Sequence, residues 1–306
     1  MADNTRIYEP KTRVGLPERG FGREALEFLS AERHEPAWVL EKRTAGWRHY
    51  NDLAAPFWRR TDIGKLKWED LIPYAPPQAV VDGLEALPPK LHDALAVYGK
   101  RAGLLLQRDS ASVHLDLDEE VRAQGVIWTD MHTAVRDHPD LVASLFMEEA
   151  VPVATDKYTA LHAAFWSGGT FLYVPKNVIV DLPFVSVLWQ EMPQLAVFPP
   201  TLLVADKGSQ VTLVSELLSM GCDSCPNTYV GGVTELHVGA AARVRFVSAQ
   251  DLGKHAYDLR SQTALLERDS HLEWLTVALG GRVSRSTQHS VLRGPGAEAV
   301  VTGLYL

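Results

Sequence analysis

The chain has 306 residues, 46% of them hydrophobic and 22% charged, which is enough apolar content for a sizeable core and too much for a disordered segment. A formal net charge of −8 argues against non-specific nucleic-acid binding, and no run approaches the roughly 20 apolar residues of a membrane span. With two cysteines there is no disulfide framework, and the polar opening Met1-Ala-Asp-Asn-Thr-Arg6 lacks the apolar stretch of a secretory signal, so a reducing cytoplasm is the expected compartment.

Residues 1–77 read as helix and loop. Pro36 opens a run carrying Trp38, Val39, Leu40, Trp47 and Tyr50 at helical spacing, ending near Ala55-Pro56. Phe57-Trp-Arg-Arg-Thr-Asp-Ile63 reads as extended or turning, and Pro73-Tyr-Ala-Pro-Pro77 breaks the chain. The aromatic density here reads as a ligand platform or, more plainly, as hydrophobic packing. Residues 78–165 read as a small mixed α/β region. Leu104-Leu-Leu106, Ser112–Leu117 and Val126–Thr129 have strand character, Asp130 is placed to cap a helix through Met131 and Val135, and Pro139 breaks or restarts it. A last helix, Lys157–Phe165, leads into Trp166-Ser-Gly-Gly169, where the glycine pair turns the chain from helix into strand.

From residue 166 to residue 306 one pattern recurs five times: short apolar strand, tight polar or Gly turn, short strand. The copies are Gly169–Val178, Leu202–Val211, Glu235–Val244, Ala264–Leu272 and Ser290–Ala299, and their last residues lie 33, 33, 28 and 27 positions apart. A unit of this length without helical period predicts stacked coils, a parallel β-solenoid. Strand alternation points Val211 and Leu213, Val244 and Phe246, and Leu272 and Trp274 inward. The last coil, Glu298–Leu306, ends apolar and uncapped, which predicts either a piece of a longer protein or an edge that another subunit covers.

Cys222-Asp-Ser-Cys225 is the candidate metal pair, since two thiolates at this spacing can share one zinc or iron ion. A full site needs about four ligands, so His237, His255 or a partner subunit would have to complete it; the plainer reading is a loop bounded by Gly221 and Pro226. His237 with Glu235, and His271 and Glu273 with Arg243 and Arg245, fall on outward phases, as a metal or anion ladder or as an ordinary cross-strand charge ladder. His132 and His138 read as surface residues. Neither a Gly-x-Ser-x-Gly elbow nor a phosphate-binding Gly-x-x-x-x-Gly-Lys-Ser/Thr loop occurs.

Leu161-His-Ala-Ala-Phe-Trp-Ser-Gly-Gly-Thr-Phe-Leu-Tyr-Val-Pro-Lys176, Thr201–Ser209, Val233–Gly239 and Glu35–Arg43 resemble segments of the SufB/SufD family of iron–sulfur cluster assembly proteins, and Trp58-Arg-Arg-Thr-Asp62 tilts the match toward its SufD branch. The resemblance implies a right-handed parallel β-helix flanked by helical regions and a non-catalytic scaffold subunit. It implies pairing with a SufB-type subunit or with itself, and a SufC-type ATPase reached through a C-terminal region beyond this sequence. No resident cofactor is implied, only an iron–sulfur cluster held transiently in the assembled complex. The rival expectations are a β-helical carbohydrate-active enzyme, which would need carboxylates converging on one outer face, and a purely architectural solenoid.

Overall fold

A computed structural model describes residues 19–76, 84, 87–220 and 225–306. The first helices are α1 (Arg23–Glu32), α2 (Ala37–Asp52) and α3 (Pro89–Tyr98). A hairpin, β1 (Gly103–Arg108) and β2 (Ala111–Leu117), precedes α4 (Glu119–Ala123), β3 (Ile127–Asp130), α5 (Met131–Asp137), α6 (Pro139–Val142) and α7 (Lys157–Phe165). Asp118, Asp130 and Asp156 cap α4, α5 and α7, each carboxylate accepting two backbone N–H groups of the first turn. Twelve strands complete the chain: β4 (Thr170–Val174), β5 (Phe184–Gln190), β6 (Ala196–Val197), β7 (Pro200–Ala205), β8 (Gln210–Ser219), β9 (Thr228–Val230), β10 (Val233–Val238), β11 (Arg243–Leu252), β12 (Ala256–Leu266), β13 (His271–Gly280), β14 (Val283–Leu292) and β15 (Glu298–Tyr305).

The chain is mainly β, in two mixed sheets. One runs β15-β13-β11-β8-β5-β1-β2; the other runs β3-β4-β7-β10-β12-β9-β6, with β14 also on β12. Among the described residues only β1 with β2 and β3 with β4 pair antiparallel; the ladders among β5 and β7–β15 are parallel. From β10 onward, successive strands alternate between the sheets.

Register bears out most of the repeat. Val244 pairs with Val211 on one side and Leu272 on the other, and Leu272 pairs with Ala299. The first copy is corrected: Ile179 bridges Gln210, so Val180 and not Val178 shares the level of Val211. Both valines point to the same face, and alternation by two cannot tell them apart. The turns stack as well. Asn177, Gly208, Ala241, Asp269 and Gly296 all have positive φ. The N–H of each of the first four donates to a carbonyl of the next turn, at Lys207, Ala240, Arg268 and Pro295.

The six residues expected inward are all buried between the sheets with Leu203, Leu236 and Ala264 of the facing sheet. Burying a side chain the size of Leu213 or Phe246 stabilises the fold by roughly 1.5–3 kcal/mol. Beside this apolar core runs a polar seam absent from the sequence reading. Ser186, Ser215, Ser248 and Thr276 are in register on one sheet; Thr170, Thr201, Thr234, Gln262 and Gln288 are in register on the other. Thr170 and Ser186 bond across the gap at 2.7 Å, and Gln288 Nε2 donates to Thr276 Oγ1 at 2.6 Å.

The helical region shares a core with the sheets: Leu26, Val39, Leu161 and Phe165 pack with Phe171, Leu202 and Tyr229. Helix α2 crosses α7 at Gly46, where a Cβ would come within 2.7 Å of the Ala163 Cβ. Strands β14 and β15 expose Leu292, Val300, Val301 and Tyr305. No helix among the described residues is long and apolar enough to cross a membrane.

Candidate functional site

Where α2 and α5 meet the start of β4, charged side chains are sealed from water. Arg43 sits on the α2 face that carries Val39 and Gly46 and is fully buried. Its Nε and Nη2 donate to the Glu35 carboxylate at 2.7 and 2.6 Å, and Nη1 and Nη2 donate to the carbonyls of Ala164 (3.0 Å) and Trp166 (2.9 Å). The guanidinium lies 4.4 Å from the Trp166 ring centre, and His132 stacks on that ring at 4.6 Å. Thus His132, expected at the surface, is corrected to a core residue, with Nδ1 3.3 Å from Glu35 Oε1; His138 is half-buried. Burial pushes the Glu35 carboxyl upward, but Arg43 and His132 together outweigh it and hold the group at about 2.

A second buried carboxylate fastens a loop to the outer face of β10. Glu235 Oε2 accepts from Met147 N at 2.8 Å and Oε1 from Val151 N at 3.1 Å, and the side chain is buried. The expected open outward face around Glu235 is therefore covered by residues nearly ninety positions earlier in the chain. Burial drives Glu235 up to about 8 despite those two bonds. A folded-state value above the unfolded one means that its contribution is intact below pH ~4.5 and is lost as pH rises through 8. Glu235→Gln should therefore gain stability relative to the parent between pH 5 and 9, by several kcal/mol at ~1.4 kcal/mol per unit. Urea unfolding across that range reads the difference; a flat difference would refute it.

His162 of α7 is buried and hydrogen-bonds through Nδ1 to the Gly231 carbonyl at 2.6 Å. A carbonyl only accepts, so Nδ1 carries the proton. Burial depresses His162 to about 3, and burial followed by the Arg33 charge depresses His132 to about 4. Below pH ~6.5 the unfolded chain takes up protons that these folded imidazoles refuse, so stability falls from there down through 4 and 3. Below ~4.5 protonation of Glu35 adds to the loss, whereas Glu235 moderates the limb above that point. In His162→Asn, which keeps a donor toward Gly231, this acid limb should flatten in a pH series of denaturant midpoints; an unchanged limb would refute the assignment.

The outer charge ladder is real and exposed. Arg245 faces Glu273 in register and bonds to it at 2.7 Å, and His271 lies between Glu273 and Glu298 at 3.8 and 3.5 Å. Water and salt screen such exposed pairs, which contribute little to stability. His237 is half-buried, its Nε2 without a hydrogen-bond partner, and His255 is buried. Cys222 lies outside the described residues, and Cys225 is disulfide-bonded. Among the described residues no three His, Cys, Asp or Glu side chains group as a metal site would require.

Sequence reading missed Glu35, Arg43 and the sites of burial at His132 and Glu235. Arg43 did leave a signal: a charge four residues after Val39, on the apolar face of its helix.

Two family descriptions match the chain in tandem: the SufBD protein N-terminal region over residues 110–185, and the SUF system FeS cluster assembly SufBD core domain over residues 188–306. The iron–sulfur cluster assembly protein SufD of Bacillus subtilis is 33% identical over 253 residues, covering 82% of this chain and 57% of that protein. An iron–sulfur cluster assembly SufBD family protein of Staphylococcus saprophyticus is 28% identical over 292 residues, covering 92% of this chain and 61% of its own length. A Staphylococcus aureus counterpart is 27% identical over the same shares. The chain thus spans between 57% and 61% of the length of these relatives.

Proposed function

The chain belongs to the SufB/SufD family of iron–sulfur cluster assembly proteins and is most like SufD, and from that premise we propose that it serves cluster assembly as a non-catalytic scaffold subunit. The reading has the two sheets wind as a right-handed parallel β-helix, with the helical region as its cap. The tandem family match across residues 110–306 is the observation that carries it. The partners are a SufB-type subunit, or a second copy of the chain, and a SufC-type ATPase, in the cytoplasm. An iron–sulfur cluster is then cargo of the assembly, and thiolate ligation on this chain would fall to Cys222 and Cys225.

In support, three of the buried charged groups are tied up in fastening one element to another: Arg43 with Glu35, and Glu235 with its two N–H donors. The exposed carboxylate of Glu273 is paired with Arg245 in place of facing a second acid as glycoside cleavage would need.

The test is co-purification. The protein expressed from its intact gene together with SufB-type and SufC-type partners should elute as one complex, and ATP should alter its hydrodynamic radius. A chain that elutes alone in the presence of both partners would refute the proposal.

A further inference from the structure

A crevice enclosing about 350 Å³, its open mouth included, lies between the start of α7, the turn joining β9 to β10, and strands β12 and β14. Its walls hold an unusual set of unsatisfied polar atoms. Thr159 Oγ1, His162 Nε2, Arg260 Nη2 and Arg285 Nε are all buried and have no hydrogen-bond partner. Buried polar atoms normally find one, in protein, water or ligand.

The two guanidiniums differ. Arg260 is paired with Asp258 at 2.9 Å and donates to Ser248 Oγ at 3.0 Å, leaving Nη2 over. Arg285 forms no ion pair among the described residues; its guanidinium lies 4.6 Å from the ring centre of Trp58. Stacking orients a guanidinium plane while leaving its in-plane N–H groups available. The carboxylate in the lining, Asp156, accepts the Tyr158 and Thr159 amides that cap α7, both through Oδ1. The Trp-Arg-Arg-Thr-Asp motif thereby acquires a role, since Trp58 holds the Arg285 plane at the crevice.

We propose that this crevice binds a protonated oxyanion, either inorganic hydrogen phosphate or the singly protonated phosphomonoester group of a small metabolite. Arg285, Arg260 Nη2 and the Thr159 hydroxyl donate to its oxygens. His162 supplies the selectivity. Because Nδ1 spends its proton on the Gly231 carbonyl, Nε2 presents a lone pair, and it accepts from a P–OH group. Sulfate and acetate, without a proton at neutral pH, offer that nitrogen nothing.

Calorimetric titration of the full chain at pH 6, where about half of a phosphomonoester keeps its P–OH, and at constant ionic strength tests this, using inorganic phosphate, glycerol phosphate, sulfate and acetate in turn. Phosphate or glycerol phosphate should bind saturably below about 10 mM, with sulfate and acetate at least tenfold weaker. Glycerol phosphate above phosphate would identify a phosphomonoester, and the reverse order the free ion. Arg285→Gln should weaken binding about tenfold or more, and Thr159→Val, which leaves the charges in place, should weaken it less. A crystal structure grown in phosphate should show a tetrahedral anion beside Arg285. Sulfate binding as well as phosphate, affinity unaffected by both substitutions, or only water in the crevice would overturn the proposal.

Discussion

Arg43→Met is expected to destabilise the protein by about 3–5 kcal/mol, enough to loosen the helical region at ordinary temperatures. The loss comes less from the missing attraction than from what stays behind. Glu35 would remain as a buried carboxylate without its counter-charge, and the carbonyls of Ala164 and Trp166 would lose their donors. The double variant Glu35→Leu/Arg43→Met, which removes both charges, should recover a large part of the loss, because apolar replacement of a whole buried pair is often close to neutral. Urea unfolding of the two single variants and the double closes the cycle. Additive costs, or a single-variant loss under about 1 kcal/mol, would mean that the pair is not the fastening described.

Gly169→Ala should be at least as damaging. The residue has φ +82°, and a Cβ there would lie 2.4 Å from the Pro200 carbonyl oxygen and 2.5 Å from its ring carbons. Neither neighbour is a flexible tip that can swing aside, because Pro200 begins β7 and Thr201 pairs with Thr170 next door. A left-handed conformation alone costs a non-glycine residue about 1–2 kcal/mol. Backbone overlap comes on top, so a total loss of roughly 3 kcal/mol or more is expected, seen as a thermal midpoint lowered by several degrees or as insoluble product. Gly125→Ala separates the two contributions: φ is +83° there, matching Gly169, and only the Pro175 ring lies near, at an ordinary 3.5 Å, so only the conformational cost should appear. Equal midpoints for the two variants would eliminate steric contact as the cause.

Helix α7 was legible to the residue, from Lys157 to Phe165, because the glycines that break it sit beside it in the chain. The start of α5 was legible too, from its Asp130 cap. The level shared by Val211, Val244, Leu272 and Ala299 could be read because each strand adjoins its own turn, and the turns repeat. Alternation by two and turn chemistry are local properties, so a sequence carries them openly. The first copy escaped by two positions for the same reason, since a shift of two keeps every side chain on its face.

By itself the sequence determined the family, the mainly β character and which strand faces turn inward, all of which rest on short-range pattern. Only the tertiary structure decided which outward faces stay wet. Glu235 is dry because Met147 and Val151 cover it, His132 because Trp166 and Glu35 enclose it, and the Arg285 crevice exists because Trp58 reaches β14 from far upstream. Those contacts join residues dozens to hundreds of positions apart, and burial of a polar group is a property of its neighbours in space. Nothing in the residues flanking Glu235 distinguishes a carboxylate facing water from one receiving two amide protons beneath a loop.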